Sequence, residues 1–100
     1  MTLPLRFNPD VTREISEAYG YFLEKNEDAA EGFLTQLELT LERIQMSPNS
    51  QPRLDDRFRS AGVLKYHHRV VFSVEIDAIK IWTVFHTSRD PDELKRRLGY

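Results

Sequence analysis

One hundred residues suffice for one modest hydrophobic core and are too few for two, so residues 1–100 are read as a single domain. With 40% hydrophobic and 30% charged residues and no cysteine, the chain is of ordinary globular type and offers no disulfide, thiol nucleophile or cysteine-ligated metal site. The net charge of −2 conceals an asymmetry: residues 1–56 hold five Lys/Arg against eleven Asp/Glu, whereas residues 57–100 hold nine against five, together with all three histidines. Acidic helices before a mildly basic sheet would produce this split, and it also lets the second half present a basic face to an anionic partner. No apolar run of signal-peptide type opens the chain and no segment is long enough to span a bilayer, so the expected location is the cytoplasm, with no membrane partner.

Leu3 to Phe7 alternates apolar and other residues and predicts a short strand. Asn8-Pro9-Asp10 then predicts a helix start, with Asn8 as N-cap and Pro9 in the first helical position. Val11, Ile15, Ala18, Tyr19 and Phe22 recur at helical spacing and form one apolar stripe, which stops at the polar break Lys25-Asn26-Glu27-Asp28. A second helix is expected from about Asp28 to Met46, with Phe33, Leu34, Leu37, Leu41 and Ile44 inward and Glu31, Glu38 and Glu42 outward. Two amphipathic helices joined so tightly must pack as an antiparallel hairpin, and Pro48 ends the second.

Beyond residue 56 the apolar period becomes two, predicting strands over 57–65, 68–76 and 79–86. Asp77-Ala78 is short enough for a two-residue hairpin loop, although the preferred glycine is missing. That register pairs Glu75 with Lys80, Phe72 with Thr83, and Arg69 with His86. It directs Val70, Phe72, Val74, Ile76, Ile79, Ile81, Thr83 and Phe85 toward the helices. Arg69, Val71, Ser73, Glu75, Lys80, Trp82, Val84 and His86 then share the outer face. Asp90, Pro91 and Glu93 read as the capped start of a last helix, with Lys95, Arg96 and Arg97 at its cation-favouring end. The expected fold class is therefore α+β.

Trp82 and Val84, with Val71, are more apolar than a solvent-facing strand needs, so they form a contact patch ringed by Arg69, His86 and Arg59, unless the last helix or a loop covers them. His86 beside Arg69 joins a general base to a phosphate-binding cation, but structural and partner-binding histidines look the same in sequence. His67 and His68 are adjacent in a strand and point to opposite faces, so no metal site is expected. The chain has no glycine-rich phosphate loop and no marked nucleophilic serine, and no cofactor is expected.

The segments RFNPDVTREISEAYGYFLEKN and HHRVVFSVEIDAIKIWTVFHTSRDP, with the proline-containing loop between them, resemble the RelE/ParE toxin superfamily of bacterial toxin–antitoxin systems. The C-terminal part, with Arg69 and VFHTSRDP, is most similar to the ParE branch. The resemblance implies an N-terminal strand, an antiparallel helical hairpin, a three-stranded antiparallel meander joined to the first strand in one sheet, and a short C-terminal helix. It implies a toxin that binds a protein target, DNA gyrase, and is neutralised by a cognate antitoxin. The target- and partner-binding residues would then be Arg59, Lys65, Arg69, Trp82, His86 and Arg89. A RelE-like alternative is an endoribonuclease that cleaves messenger RNA on the ribosome with Arg69, Arg89 and His86. In that branch, basic residues fall where this chain has Ser60 and Gly62, and a tyrosine falls at Lys95, Tyr100 lying too far along. The acidic total charge also speaks against a ribosome-seeking enzyme. A third alternative is a non-toxic module that binds only an antitoxin, in every case along apolar and basic surface near the sheet or the hairpin.

Overall fold

Two asparagines organise the helical half. In this computed structural model, which describes residues 2–99, the Asn8 side chain accepts the amide of Asp10 at 3.3 Å and opens α1 (Pro9–Lys25). Asn26 closes α1 with its backbone N–H on the Phe22 carbonyl at 3.0 Å and opens α2 (Glu27–Met46) by accepting the Ala29 amide at 2.7 Å. One residue thus ends one helix and begins the next, and the sharp reversal forces the antiparallel hairpin. After α2 a short 3-10 turn, Pro48–Ser50, leads into the loop before the sheet.

The sheet contains β1 (Leu5–Phe7), β2 (Arg59–Val63), β3 (His68–Val74) and β4 (Ile79–His86) in the order β1-β4-β3-β2. β1 runs parallel to β4, and the other neighbours are antiparallel. β2 is shorter than its sequence pattern suggests at both ends. The Asp55 carboxylate takes the amides of Arg57 and Phe58, each at 2.8 Å, and holds them in a turn. At the other end Lys65 adopts a left-handed φ of 72° and reverses the chain. The last helix, α3 (Pro91–Leu98), starts at Asp90, whose side chain accepts the Asp92 amide at 2.9 Å.

The main core lies between the hairpin and the sheet, where Val11, Phe33, Leu37 and Ile44 meet Ala61, Val63, Val70, Phe72, Ile79, Ile81 and Val84. A smaller cluster on the opposite face joins Phe58, Val71 and Leu98, with Trp82, Phe85 and Leu94 packed against it. α3 and the loop before β2 therefore cover much of the apolar patch that the sequence leaves open on this face.

The β3–β4 register departs from expectation. Val74 pairs with Ile79, so the loop is Glu75 to Ala78 and is closed by the Glu75 amide on the Ala78 carbonyl at 2.8 Å. A two-residue loop of Asp77-Ala78 would need positive φ in residues that resist it, and the chain instead widens the turn. As a result Glu75 no longer faces Lys80, which pairs with Ser73, and Ile76 is 99% exposed rather than part of the core. A bulge follows: Ile81 faces Phe72 and Thr83 faces Val71, which leaves Trp82 as the extra residue. Past the bulge the alternation is inverted. Val84 enters the main core and Phe85 joins the outer cluster, the reverse of the expected assignment. Arg69 pairs with Phe85, and His86 pairs with His68.

The hairpin's packing can be tested at its two glycines. A Cβ on Gly32 would lie 2.4 Å from the Tyr66 hydroxyl, whereas one on Gly20 would meet nothing within 4 Å. Tyr66 cannot yield easily, because its hydroxyl donates to the Ala29 carbonyl at 3.0 Å and its ring packs on Phe22 and Phe33. Both residues lie inside helices, so helix propensity favours alanine at each by about 1 kcal/mol. Gly20→Ala is expected to stabilise by up to about that amount, while Gly32→Ala destabilises by roughly 1–2 kcal/mol because overpacking outweighs propensity. Urea denaturation of the two variants checks this, and a stabilised Gly32→Ala would contradict the packing.

Candidate functional site

Two of the four arginine and lysine residues singled out from sequence are tied down by their neighbours. Arg59 pairs with Phe72, which puts it on the helical side of β2 and not with Arg69 on the outer face, and it donates to the Gln51 carbonyl at 2.7 Å. Arg69 donates from Nε to Ser60 Oγ at 3.0 Å and from Nη2 to the Ser60 carbonyl at 3.3 Å. Its guanidinium also crosses Gly62, where an added Cβ would sit 3.2 Å from Nη1. The small residues at 60 and 62 thus make the trough in which Arg69 lies. Lys65 stays exposed at the β2–β3 turn.

Trp82 is held at the centre of this face. Its Nε1–H donates to Ser73 Oγ at 2.8 Å, and its ring meets Phe58 edge-on at 5.5 Å. The Lys80 ammonium lies 4.0 Å and the Arg57 guanidinium 4.9 Å from the indole centroid. Two cations on one half-buried indole create a surface that is both apolar and positively charged, suited to an acidic or aromatic protein partner. Arg57 and Lys80 are not among the binding residues expected from sequence, although the nearness of Lys80 to Trp82, two residues along the same strand, was legible there.

His86 and Arg89 belong to a different region, on the helical side of the sheet. The His68 ring is only 8% exposed, 5.1 Å from Phe33 and 5.7 Å from Phe22, and meets His86 edge-on at 5.0 Å. Burial, then the nearby His86, Arg89 and His67, lowers the His68 pKa to about 4. Its Nδ1 is buried and has no hydrogen-bond partner among the described residues. His86 Nδ1 accepts the Ser88 amide at 3.1 Å and lies 2.6 Å from Ser88 Oγ. A cleft of about 370 Å³ runs past His68, His86, Ser88 and Arg89 to Glu17, Ala18 and Tyr21 of α1. The expected pairing of Arg69 with His86 is therefore absent, because the bulge puts them on opposite faces.

Glu14 is the residue that sequence reasoning missed. Although charged, it is 6% exposed and accepts Thr83 Oγ1 at 2.6 Å, the Val84 amide at 3.3 Å and Arg97 Nη2 at 3.3 Å. Arg97 also reaches Asp10 at 3.2 Å, so α3 is tied to α1 through two carboxylates. Glu14 lies three residues after Val11 and four before Ala18, on the apolar stripe, and that position was the available signal. Tyr100 lies outside the described residues. No group of three or more His, Asp or Glu side chains among the described residues is placed to hold a metal ion, and no helix among them is long and apolar enough to cross a membrane.

Residues 5–91 match the family described as the ParE toxin of type II toxin–antitoxin system, parDE. The fold is similar to a structure of the chromosomal ParDE TA system from P. aeruginosa, with a TM-score of 0.73 at 12% identity, covering 84% of this chain and 95% of that one. It is also similar to the YoeB dimer from Staphylococcus aureus, with a TM-score of 0.52 at 21% identity, covering 79% and 90% respectively. No curated protein matches the chain.

The His68 environment sets a pH dependence. The unfolded histidine takes up a proton near pH 6.5, whereas the folded one resists until about pH 4. Between these values the unfolded state binds more protons, so stability falls as pH drops, by about 1.4 kcal/mol per unit and about 3 kcal/mol across the window. Urea denaturation between pH 7 and 4 should show this loss in the parent and a clearly shallower one in His68→Phe. Equal slopes would contradict a neutral, buried His68.

Proposed function

The chain belongs to the ParE toxin family of type II toxin–antitoxin systems, and from that membership we propose that it inhibits growth by binding a protein target, DNA gyrase, and that a cognate antitoxin neutralises it. The observation that carries the reading is the separation of the candidate catalytic residues. Arg69 is engaged by Ser60 on the outer face, while His86 and Arg89 line the cleft on the helical side. The RelE-like set needs all three residues around one reacting group, and Arg69 does not join the other two. Ser60, Gly62 and Lys95 stand where the RelE-like comparison has its basic residues and tyrosine. These departures favour binding over RNA cleavage.

The target-facing surface in this reading is the outer face around Trp82, with Arg57 and Lys80. An indole flanked by cations is the kind of anchor that dominates protein interfaces, and the basic second half of the chain favours an acidic partner. The antitoxin would cover apolar and basic surface next to the sheet or hairpin. Cytoplasmic action follows from this role, since gyrase works on the chromosome.

Two assays test the proposal. Added protein is expected to block supercoiling by purified gyrase and to leave messenger RNA intact on ribosomes. Arg57→Glu, at an exposed position, should raise the concentration needed for inhibition by about tenfold. Cleaved messenger with normal supercoiling would favour the RelE-like ribonuclease. No growth defect when the protein is expressed without an antitoxin would favour the non-toxic binding module.

A further inference from the structure

The cleft between α1 and the turn from β4 to α3 gathers polar groups that the fold leaves unsatisfied. The exposed Arg89 guanidinium makes no hydrogen bond or ion pair among the described residues, and it lines both this cleft and an adjoining one of about 280 Å³. His86 accepts the Ser88 backbone N–H on Nδ1. A neutral ring so held carries its proton on Nε2, where it has no partner among the described residues. His68 lines the same cleft and, although nine-tenths buried, has no partner for its Nδ1. A native structure rarely leaves a buried nitrogen such as His68 Nδ1 unpaired without a ligand or water to meet it.

The donor chemistry decides the class of ligand. A cation is disfavoured by the free guanidinium and by the lack of a three-ligand His/Asp/Glu group among the described residues. The one carboxylate lining the cleft, Glu17, is already paired with Arg13 at 3.1 Å, so it does little to repel an anion. An arginine fork and an imidazole N–H together match a tetrahedral oxyanion with several acceptor oxygens, while the Ser88 hydroxyl donates to His86 Nδ1 at 2.6 Å and fixes that ring. A volume of about 370 Å³ is enough for a ligand of mononucleotide size, and the exposed Tyr21 ring on the rim offers a base a stacking surface.

We propose that the cleft lined by His68, His86, Ser88 and Arg89 is a phosphate-binding site, with Arg89 as the charged partner and His86 Nε2–H as a second donor. The site lies across the sheet from Arg69 and Trp82, and it stands or falls independently of the gyrase reading. The phosphate group belongs either to free inorganic phosphate or to a mononucleotide.

Titration of the full chain at pH 7 and constant ionic strength, followed by NMR at the Ser88 amide and Arg89 Nε–H, tests the site with inorganic phosphate and, separately, adenosine monophosphate. Both signals are expected to shift saturably. Arg89→Gln should weaken binding by about tenfold or more, since a charge-assisted hydrogen bond is lost. Arg96→Gln, at an exposed arginine of α3 that does not line the cleft, should leave binding unchanged. Tighter binding of adenosine monophosphate assigns the site to a nucleotide, and equal or weaker binding assigns it to free phosphate. Shifts that do not saturate, or that the two arginine variants reduce equally, overturn the proposal. Because Arg89 is exposed and unbonded, its replacement does not put the fold at risk.

Discussion

Trp82 stands in β4 without a partner on β3, and the placement of every later residue of that strand depends on it. An extra residue in one strand inverts the inside–outside alternation beyond it. Here the inversion sends Val84 into the main core, Phe85 to the outer cluster and His86 to the helical side. The bulged residue is not wasted: its indole fills the outer face between Phe58 and two cations and donates to Ser73. The same irregularity thus creates an apolar, cationic surface on one face and a histidine–arginine cleft on the other.

Glu14 holds the strand in this form from the other side. Its carboxylate takes the Thr83 hydroxyl and the Val84 amide just past the bulge, and it also meets Arg97 of α3. A buried carboxylate is tolerated only when its oxygens are met by donors, and here β4 and α3 supply three of them. Removing one member of such a cluster typically costs about 3–5 kcal/mol, because the others are left buried and unpaired. The tie joins α1, β4 and α3, so the two faces of the sheet are mechanically linked through a single side chain.

Much of the fold was legible because its signals are local. Asn8, Pro48 and Asp90 mark helix boundaries by cap and proline chemistry, the polar break at 25–28 marks the turn between the first two helices, and those boundaries stand within a residue or two of the expected ones. The antiparallel meander of the last three strands also stood, and the joining of the first strand to it in one sheet is as the family resemblance implies. The candidate site was less legible. A bulge has no strong local signature, and a register two residues off at the turn was enough to pair Arg69 with the wrong strand neighbour. The fate of Arg69 depends on Ser60 and Gly62 across β2, a relation visible only after the strands are paired. Glu14 could have been noticed on its apolar stripe, but its partners come from residues about seventy or more positions away.

The central claim is that the bulge at Trp82 brings His86 to His68 and separates it from Arg69. Nuclear Overhauser contacts in solution measure this directly. The account predicts cross-peaks between the His68 and His86 rings and from the His68 ring to Phe33, with none between the His86 ring and the Arg69 side chain. Contacts from the His86 ring to Arg69, with the His68 contacts missing, would contradict it and restore an unbulged strand.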